Sequence, residues 1–268
     1  MKPAKDLMGK LDRGETVLGI LITHPFQLQH IEVAIKAGLD YVVIDAEHMD
    51  HGHSLIAEGC RLGRLAGFPV ILRIQRKDTD WAAAALDLGP VGLILPCVET
   101  VDELDQVRDA MYMPPRGRRR PGGPSNFWVD KYDYATFKSE VEDDLIILPQ
   151  IESGRGLDNV KALAEHEIVT AMAIGPFDLS ASLGVCWEPD HPKLTDAFEQ
   201  VRKAASDAGK LVWRIGDGKE LSAQGYRFLC IAEPTVLLLT TLANIANDVR
   251  KNLPDAKGKY DSTESQPI

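Results

Sequence analysis

Short apolar runs alternate with segments of helical periodicity along most of this chain. The runs are rich in β-branched residues, and stretches such as 31–35 and 104–111 between them repeat apolar residues three and four positions apart. Strands that are apolar throughout are typical of a parallel sheet covered by helices. Eight such runs are present: VLGILIT (17–23), YVVID (41–45), PVILRI (69–74), VGLILP (91–96), LIILPQIE (145–152), TAMAIG (170–175), KLVWRI (210–215) and RFLCIA (227–232).

Eight successive strand–helix units predict an α/β fold, a single (β/α)8 TIM barrel. A doubly wound open sheet is the alternative. It is disfavoured because Thr23-His24-Pro25, rather than a glycine-rich phosphate-binding string, follows the first run. No linker and no repeat beyond the alternation divides the chain. We therefore expect one barrel domain over residues 1–253 and a polar tail over residues 254–268.

Charge and cysteine content limit the class of protein. A formal net charge of −10 argues against a general binder of nucleic acid or of anionic membranes. No apolar run approaches the roughly 20 residues of a membrane span, and the opening residues lack the apolar middle of a signal peptide. The four cysteines form no CxxC pair, so we expect reduced thiols. These features predict a soluble cytoplasmic protein without nucleic-acid or membrane partners.

Two segments interrupt the alternation. Residues 113–140 are rich in Pro, Gly, Arg and aromatic residues, and residues 184–192 form a loop with two prolines. A connection as long as the first is usually functional when it is ordered, so we expect a packed excursion over a site or a subunit interface. Its arginines at 116–120 stand close to aromatics, a mixture that nucleic-acid sites use. The negative net charge favours a neighbouring subunit or an acidic substrate instead.

Polar residues gather where the predicted strands end. In a (β/α)8 barrel the active site lies at the C-terminal ends of the strands. Residues that follow four different strands should therefore converge on this rim, which is typical of an enzyme. They are Asp45, Glu47 and His48 after the second run, Arg73 in the third, Gln150 and Glu152 in the fifth, and Gly175-Pro176-Phe177-Asp178 after the sixth.

Glu152 and Asp178 are candidate metal ligands. Two carboxylates on neighbouring strand ends can hold a hard divalent cation and leave positions open for substrate oxygens and water. An ion pair with an arginine is the alternative for either residue, and Asp178 also stands where a helix N-cap would. No lysine occupies the end of the fifth or sixth strand, where a Schiff-base aldolase needs its nucleophile. Its absence favours metal over covalent catalysis.

The histidines after the second strand permit two interpretations. Asp45 can hold His48 in one tautomer as a general base, or His48 can be structural. His51 and His53 lack the cysteine or carboxylate partners of a zinc site, so we expect them in a solvated loop.

Arg73 ends a buried strand and needs an anionic partner. An anionic substrate group would bind it in a bidentate manner, whereas a structural bridge to Asp45, Glu47 or Asp87 is the alternative. Backbone N–H groups of the turn at 175–178 can bind a carboxylate, although turns of this kind also occur without a ligand.

Several strings together resemble the HpcH/HpaI aldolases, the metal-dependent class II pyruvate aldolases. The similarity runs from about residue 15 to residue 250, and the last of these strings is the most specific. They are IDAEH (44–48), LRI (72–74), LPCVET (95–100), PPRGRR (114–119), QIES (150–153) and IGPFDLSASLG (174–184).

The resemblance implies a divalent cation (Mg2+, Mn2+ or Co2+) and reversible cleavage of a 4-hydroxy-2-oxo acid to pyruvate and an aldehyde through a pyruvate enolate. It also implies a hexamer, a trimer of dimers, in which residues 234–251 are exchanged between subunits. The implied roles are metal ligation for Glu152 and Asp178, general base for His48 oriented by Asp45, pyruvate binding for Arg73, a place beside the metal for Gln150, contact with the pyruvate carboxylate for Gly175, Pro176, Phe177 and Asp178, and a position facing a neighbouring subunit's site for Asp87.

The chain departs from the family pattern at Phe177, where a small residue is usual, and at the bulky pair Trp213-Arg214. Because aromatic side chains can stack on a ring, Phe177 and Trp213 favour an alternative, a related lyase or decarboxylase that uses the same enolate on an aromatic substrate. A barrel that assembles or regulates without turnover is a third interpretation. A purely structural protein has no need to combine His48, Arg73, Glu152 and Asp178.

Overall fold

The computed structural model of the chain describes residues 1–75, 79–120, 127–131 and 133–251. Its eight strands form a closed parallel barrel in chain order, and β8 pairs with β1. The predicted (β/α)8 barrel is confirmed, and every strand lies inside one of the eight predicted runs. The strands are β1 (Val17–Ile22), β2 (Tyr41–Asp45), β3 (Val70–Arg73), β4 (Gly92–Leu95), β5 (Ile146–Ile151), β6 (Ala171–Ile174), β7 (Leu211–Ile215) and β8 (Phe228–Ala232).

Helices cover the outside of the barrel and connect its strands. The first helix, which the strand pattern did not predict, buries Ala4, Leu7 and Leu11. A capping box of Thr100 and Glu103 begins the helix after β4. The helices are α1 (Lys2–Asp12), α2 (Leu28–Lys36), α3 (His53–Ala66), α4 (Thr79–Asp87), α5 (Val101–Met111), α6 (Tyr134–Glu140), α7 (Gly154–Asp158), α8 (Val160–Ala164), α9 (Pro176–Ser182), α10 (Pro192–Asp207), α11 (Gly218–Ala223) and α12 (Pro234–Lys251).

Aromatic side chains fill part of the barrel interior. The Tyr41 ring occupies the space that a Cβ at Gly19 would need, and it packs edge-on against Phe228 at 5.1 Å between ring centroids. Its hydroxyl donates to the Leu229 carbonyl and accepts from Trp213 Nε1, each at 2.8 Å. This buried pair of hydrogen bonds joins β2, β7 and β8 across the barrel.

The predicted excursion at 113–140 packs on the helical layer where it is described. Phe137 of α6 is buried, and Arg64 of α3 stacks on the Phe127 ring at 5.0 Å and donates to the Phe127 carbonyl at 3.1 Å. Tyr132 and the predicted tail at 254–268 lie outside the described residues. Within the part of the chain that the structure describes, no helix is both long enough and apolar enough to cross a membrane.

We expect Tyr41→Phe to lower the free energy of unfolding by about 2 kcal/mol, because it leaves the buried Trp213 N–H without its hydrogen-bond acceptor. Tyr134→Phe is the control. The Tyr134 ring is 37% exposed and its hydroxyl contacts Glu142 only at 3.4 Å, so its effect should stay below about 0.5 kcal/mol. Urea denaturation at one fixed protein concentration measures both. Equal losses in the two variants would contradict the assigned role of the Tyr41 hydroxyl.

Candidate active site

The strand ends bring most of the predicted site residues together at the rim of the barrel. Asp45, Arg73 and Gln150 end or nearly end their strands and are buried, and Glu152 directly after β5 is also buried. Asp178 lies in the first turn of α9, immediately beyond β6, and is exposed. The short β6–α9 connection therefore holds Asp178 over the same rim.

Arg73 and Asp45 form a buried bidentate ion pair. Arg73 Nε donates to Asp45 Oδ1 at 2.9 Å and Arg73 Nη2 donates to Asp45 Oδ2 at 2.6 Å. Burial disfavours both charges, but the hydrogen bonds and the opposite charges outweigh it. The pKa of Asp45 is consequently lowered and that of Arg73 raised. Both groups are charged near neutral pH, so the structural bridge that the sequence left open for Arg73 is present.

His48 is not hydrogen bonded to Asp45 in this structure. Besides Arg73, Asp45 Oδ1 accepts the backbone N–H of Glu47 at 3.0 Å. His48 is largely exposed, and its Nε2 lies 3.8 Å from Glu47 Oε2. The expected orientation of His48 by Asp45 is therefore not seen, although the charge of His48 still contributes to the low pKa of Asp45.

Glu47 lies at the rim as the sequence predicted, although the only contact expected of it was a possible bridge to Arg73. Its Oε2 lies 3.4 Å from Arg73 Nε and is buried without a hydrogen bond. Burial raises the pKa of Glu47 despite the charges of Arg73 and His48. The spacing of two from Asp45 was the available signal, because alternate residues of an extended segment share a face.

Glu152 carries the most perturbed carboxyl of the site. Its Oε2 accepts the Cys97 backbone N–H at 2.7 Å, and a Cβ at Gly175 would overlap its Oε1. Burial, together with the negative charges of Glu47 and Asp178, raises the pKa of Glu152 to about 8, against the opposing effects of Arg73 and the Cys97 N–H. The Glu152 carboxylate thus lies among other acids in a buried setting that a cation would stabilise.

These residues fit a divalent cation held by two protein ligands. Among the described residues, no group of three histidine, cysteine or acidic side chains is arranged to hold a metal. Glu152 and Asp178 alone leave coordination positions open, as Mg2+ sites commonly do. Gln150 Oε1, like Glu47 Oε2, is a buried oxygen without a hydrogen-bond partner. Such unsatisfied oxygens beside a carboxylate are typical of a site that binds a cation or a substrate.

The turn from β6 into α9 offers fewer free donors than expected. The Gly175 N–H donates to the Ile151 carbonyl at 3.2 Å, and Pro176 has no N–H. Only the N–H groups of Phe177 and Asp178 in this turn remain to meet a substrate carboxylate. The Phe177 ring is 39% exposed and packs edge-on against Trp187 at 6.3 Å.

One expectation is wrong, and another stays a prediction. Trp213 is only 1% exposed and bonded to Tyr41, so the expectation that it stacks on a substrate is wrong. Asp87 lies at the end of α4, at the opposite end of the barrel from the rim, where it accepts from Arg119 Nη2 at 2.6 Å. The structure therefore does not bring Asp87 together with the site of its own subunit.

The histidine loop is only partly solvated. His53 is exposed and stacks on Trp81 at 4.5 Å, as a surface residue can. His51 is half-buried, its Nε2 has no hydrogen-bond partner, and burial lowers its pKa. The expectation of a solvated loop is thus wrong for His51, which is half-buried, and for His53, which is exposed but begins α3.

The chain is similar in sequence to a known family and to named aldolases. The model of the HpcH/HpaI aldolase/citrate lyase family matches residues 24–237. A 2-keto-3-deoxy-L-rhamnonate aldolase of Shigella boydii is 29% identical over 262 residues, which cover 94% of this chain and 96% of the relative. A hydroxypyruvate/pyruvate aldolase of Pseudomonas aeruginosa is 28% identical over 259 residues, 94% of this chain and 95% of the relative.

Solved structures show the same architecture. The crystal structure of an HpcH/HpaI aldolase from Desulfitobacterium hafniense has a TM-score of 0.85 and 26% sequence identity, over 94% of this chain and 99% of that one. The relatives named as aldolases support an enzyme of the lyase class rather than a barrel without turnover. Since the family model matches most of its length, the chain belongs to the HpcH/HpaI aldolase/citrate lyase family.

Proposed function

We propose that this protein is a divalent-metal-dependent aldolase that reversibly cleaves a 4-hydroxy-2-oxo acid to pyruvate and an aldehyde. The observation that carries the proposal is the buried carboxylate of Glu152, whose pKa is raised to about 8 by burial and then by the acids Glu47 and Asp178. A bound cation would offset the repulsion among these three acidic side chains. The proposed cation is Mg2+, Mn2+ or Co2+, held by Glu152 and Asp178.

A divalent cation, when bound, acts as a Lewis acid that stabilises negative charge on the 2-oxo and carboxylate oxygens of the substrate. Arg73, the buried guanidinium beside it, binds and orients the same oxygens. Gln150 and the N–H groups of Phe177 and Asp178 complete the proposed binding of the pyruvate portion. The Asp45 ion pair fixes the position of Arg73 before substrate arrives.

His48 is the proposed general base. In the cleavage direction it takes the proton of the 4-hydroxyl group, the C3–C4 bond breaks, and the aldehyde leaves with the pyruvate enolate behind it. Protonation of C3 then gives the methyl group of pyruvate. The exposed position of His48 suits proton exchange with water, and Glu47 at 3.8 Å is the carboxylate that can hold its imidazolium.

We propose that copies of the chain assemble by exchanging α12, as a dimer within a hexamer. None of the residues of α12 is buried, and six large apolar side chains on it are each more than half exposed. An apolar helix of this kind normally packs against protein. Four of these side chains follow one another at spacings of four, three and four residues, so they form one continuous apolar stripe that a second copy can cover. They are Leu238, Leu242, Ile245 and Val249. In such an assembly we propose that Asp87 faces the site of a neighbouring subunit.

The proposed cellular compartment of the protein is the cytoplasm.

We expect Glu152→Gln to lower metal-dependent release of pyruvate from a 4-hydroxy-2-oxo acid by at least about 100-fold, because the amide cannot replace an anionic ligand. Pyruvate is measured by coupled reduction to lactate. The metal-free variant should unfold at no lower urea concentration than wild type, because the substitution replaces a buried carboxyl whose ionisation burial already disfavours. Glu199→Gln, an exposed substitution on α10, is the matched control. Turnover that survives in Glu152→Gln would contradict the metal assignment.

We expect the double substitution of Leu242→Glu and Ile245→Glu to reduce the particle from an oligomer to one chain of 29.5 kDa. Charges in the apolar stripe oppose its burial against a second copy. Thr240→Glu, on the opposite side of α12, is the control and should leave the mass unchanged. Light scattering after gel filtration measures the mass. A monomeric wild-type protein, or an unchanged mass in the double variant, would contradict the exchange.

A related lyase that acts on an aromatic substrate is the second candidate function. The edge-on pair of Phe177 and Trp187, next to Asp178 at the rim, favours it. Trp213 no longer contributes to this argument. For an aromatic acceptor we expect Phe177→Ala to lower kcat/KM for benzaldehyde by about 5- to 10-fold relative to propanal, since a lost aromatic contact weakens binding by roughly 1 kcal/mol. An unchanged ratio of the two values would remove this candidate.

A further inference from the structure

The turn after β4 holds a residue with a side chain in a conformation that favours glycine. Cys97 has a φ of 49°, in the left-handed region, where side chains other than glycine, asparagine and aspartate are uncommon. Such strain persists only when surrounding contacts enforce it, and it is concentrated at functional sites. Two backbone hydrogen bonds of this turn reach the end of the neighbouring strand β5.

Two consecutive backbone N–H groups of this turn bind the end of β5. The Cys97 N–H donates to Glu152 Oε2 at 2.7 Å, and the Val98 N–H donates to the Gln150 carbonyl at 3.2 Å. The second bond is an ordinary link between neighbouring strand ends. The first reaches a side-chain carboxylate. The left-handed φ of Cys97 sets the course of the chain between the two N–H groups, so that one meets the Glu152 side chain and the other meets the backbone of β5.

Gly175 limits the same carboxylate from the other side. A Cβ at this position would overlap Oε1, Cγ and Cδ of Glu152. The Glu152 carboxylate is therefore hydrogen bonded through Oε2 to the β4 turn and packed through Oε1 on the backbone at the end of β6. Rotation about its side-chain bonds is restricted at both oxygens.

We propose that Cys97 is a positioning residue, whose left-handed backbone holds the Glu152 carboxylate in the orientation that binds the divalent cation. The inference rests on the proposed metal site. The proposed role belongs to the Cys97 backbone and not to its thiol. The metal affinity of variants at this position should therefore follow how well each residue tolerates a positive φ. Glycine adopts this conformation without strain, alanine resembles cysteine, and a β-branched residue strongly disfavours it.

The test is the affinity of the metal-free protein for Mn2+, measured without substrate from the electron paramagnetic resonance signal of free Mn2+. We expect Cys97→Val to weaken binding about 10-fold, the usual loss when a residue that orients a ligand is changed. Cys97→Ala and Cys97→Gly should bind within about twofold of wild type because both keep the N–H in place. Weak binding by Cys97→Ala together with normal binding by Cys97→Val would overturn the proposal.

A double-mutant cycle separates positioning from general damage to the fold. If Cys97 acts through Glu152, adding Cys97→Val to Glu152→Gln causes no further loss of Mn2+ affinity. A full additional 10-fold loss in the double variant would overturn the proposal. Thermal unfolding of the metal-free variants shows whether the fold is retained.

Gly175→Ala provides an independent variant if Cys97→Val does not fold. It displaces the Glu152 carboxylate from the Oε1 side and should also weaken Mn2+ binding about 10-fold. Wild-type Mn2+ affinity in this variant would show that binding does not depend on the orientation of the Glu152 carboxylate, and it would overturn the inference about Cys97. A wild-type protein that binds no Mn2+ would contradict the proposed metal site itself, whereas normal wild-type binding with an unaffected Cys97→Val contradicts only the role of Cys97.

Discussion

Among the described residues at the rim of the barrel, buried acidic side chains outnumber the one arginine that pairs with them. Arg73 neutralises Asp45 through two hydrogen bonds and reaches Glu47 at 3.4 Å, but Glu152 has no cation bonded to it among the described residues. Breaking a buried pair such as Asp45–Arg73 costs about 3–5 kcal/mol, so this pair is fixed. Burial first, and then the charges of Glu47 and Asp178, raise the pKa of Glu152, and a divalent cation would relieve that repulsion. This repulsion is the physical basis of the proposed metal site.

The barrel supplies the geometry for this arrangement. Parallel strands end on one rim, so residues distant in sequence meet there without long loops. The backbone contributes as much as the side chains, because the Cys97 N–H binds Glu152 and the absence of a Cβ at Gly175 leaves room for it. At the opposite side of the interior, the Tyr41–Trp213 hydrogen bond keeps the strands in register below the site.

Much of this could be predicted from the sequence. The eight strands were predicted because both faces of a barrel strand are buried, which produces continuous apolar runs. The error at Trp213 has a related cause. Trp213 and Arg214 occupy opposite faces of β7, and the sequence does not say which of the two faces points into the barrel. Trp213 fills the interior, while Arg214 stacks on Phe198 of α10 at 3.9 Å.

The finer contacts of the site depend on side-chain geometry that spacing does not encode. Asp45 and His48 were paired by proximity in sequence, but the guanidinium of Arg73 competes for Asp45 and makes the stronger, bidentate contact. The role of Cys97 was also invisible, because a left-handed residue other than glycine has no marker in the sequence. The resemblance to a family predicted which residues meet, and the structure adds which of them bond.

Exchange of the pyruvate methyl protons in D2O reports on the proposed metal-dependent formation of the pyruvate enolate, and it needs no acceptor aldehyde. Mass spectrometry after incubation of the protein with pyruvate would follow deuterium incorporation with Mg2+, Mn2+ or Co2+ and with a chelator. We expect exchange only when one of these cations is present, and we expect it to stop when the chelator removes the cation. Exchange that is equally fast with the chelator, or absent with all three cations, would contradict a metal-dependent pyruvate aldolase.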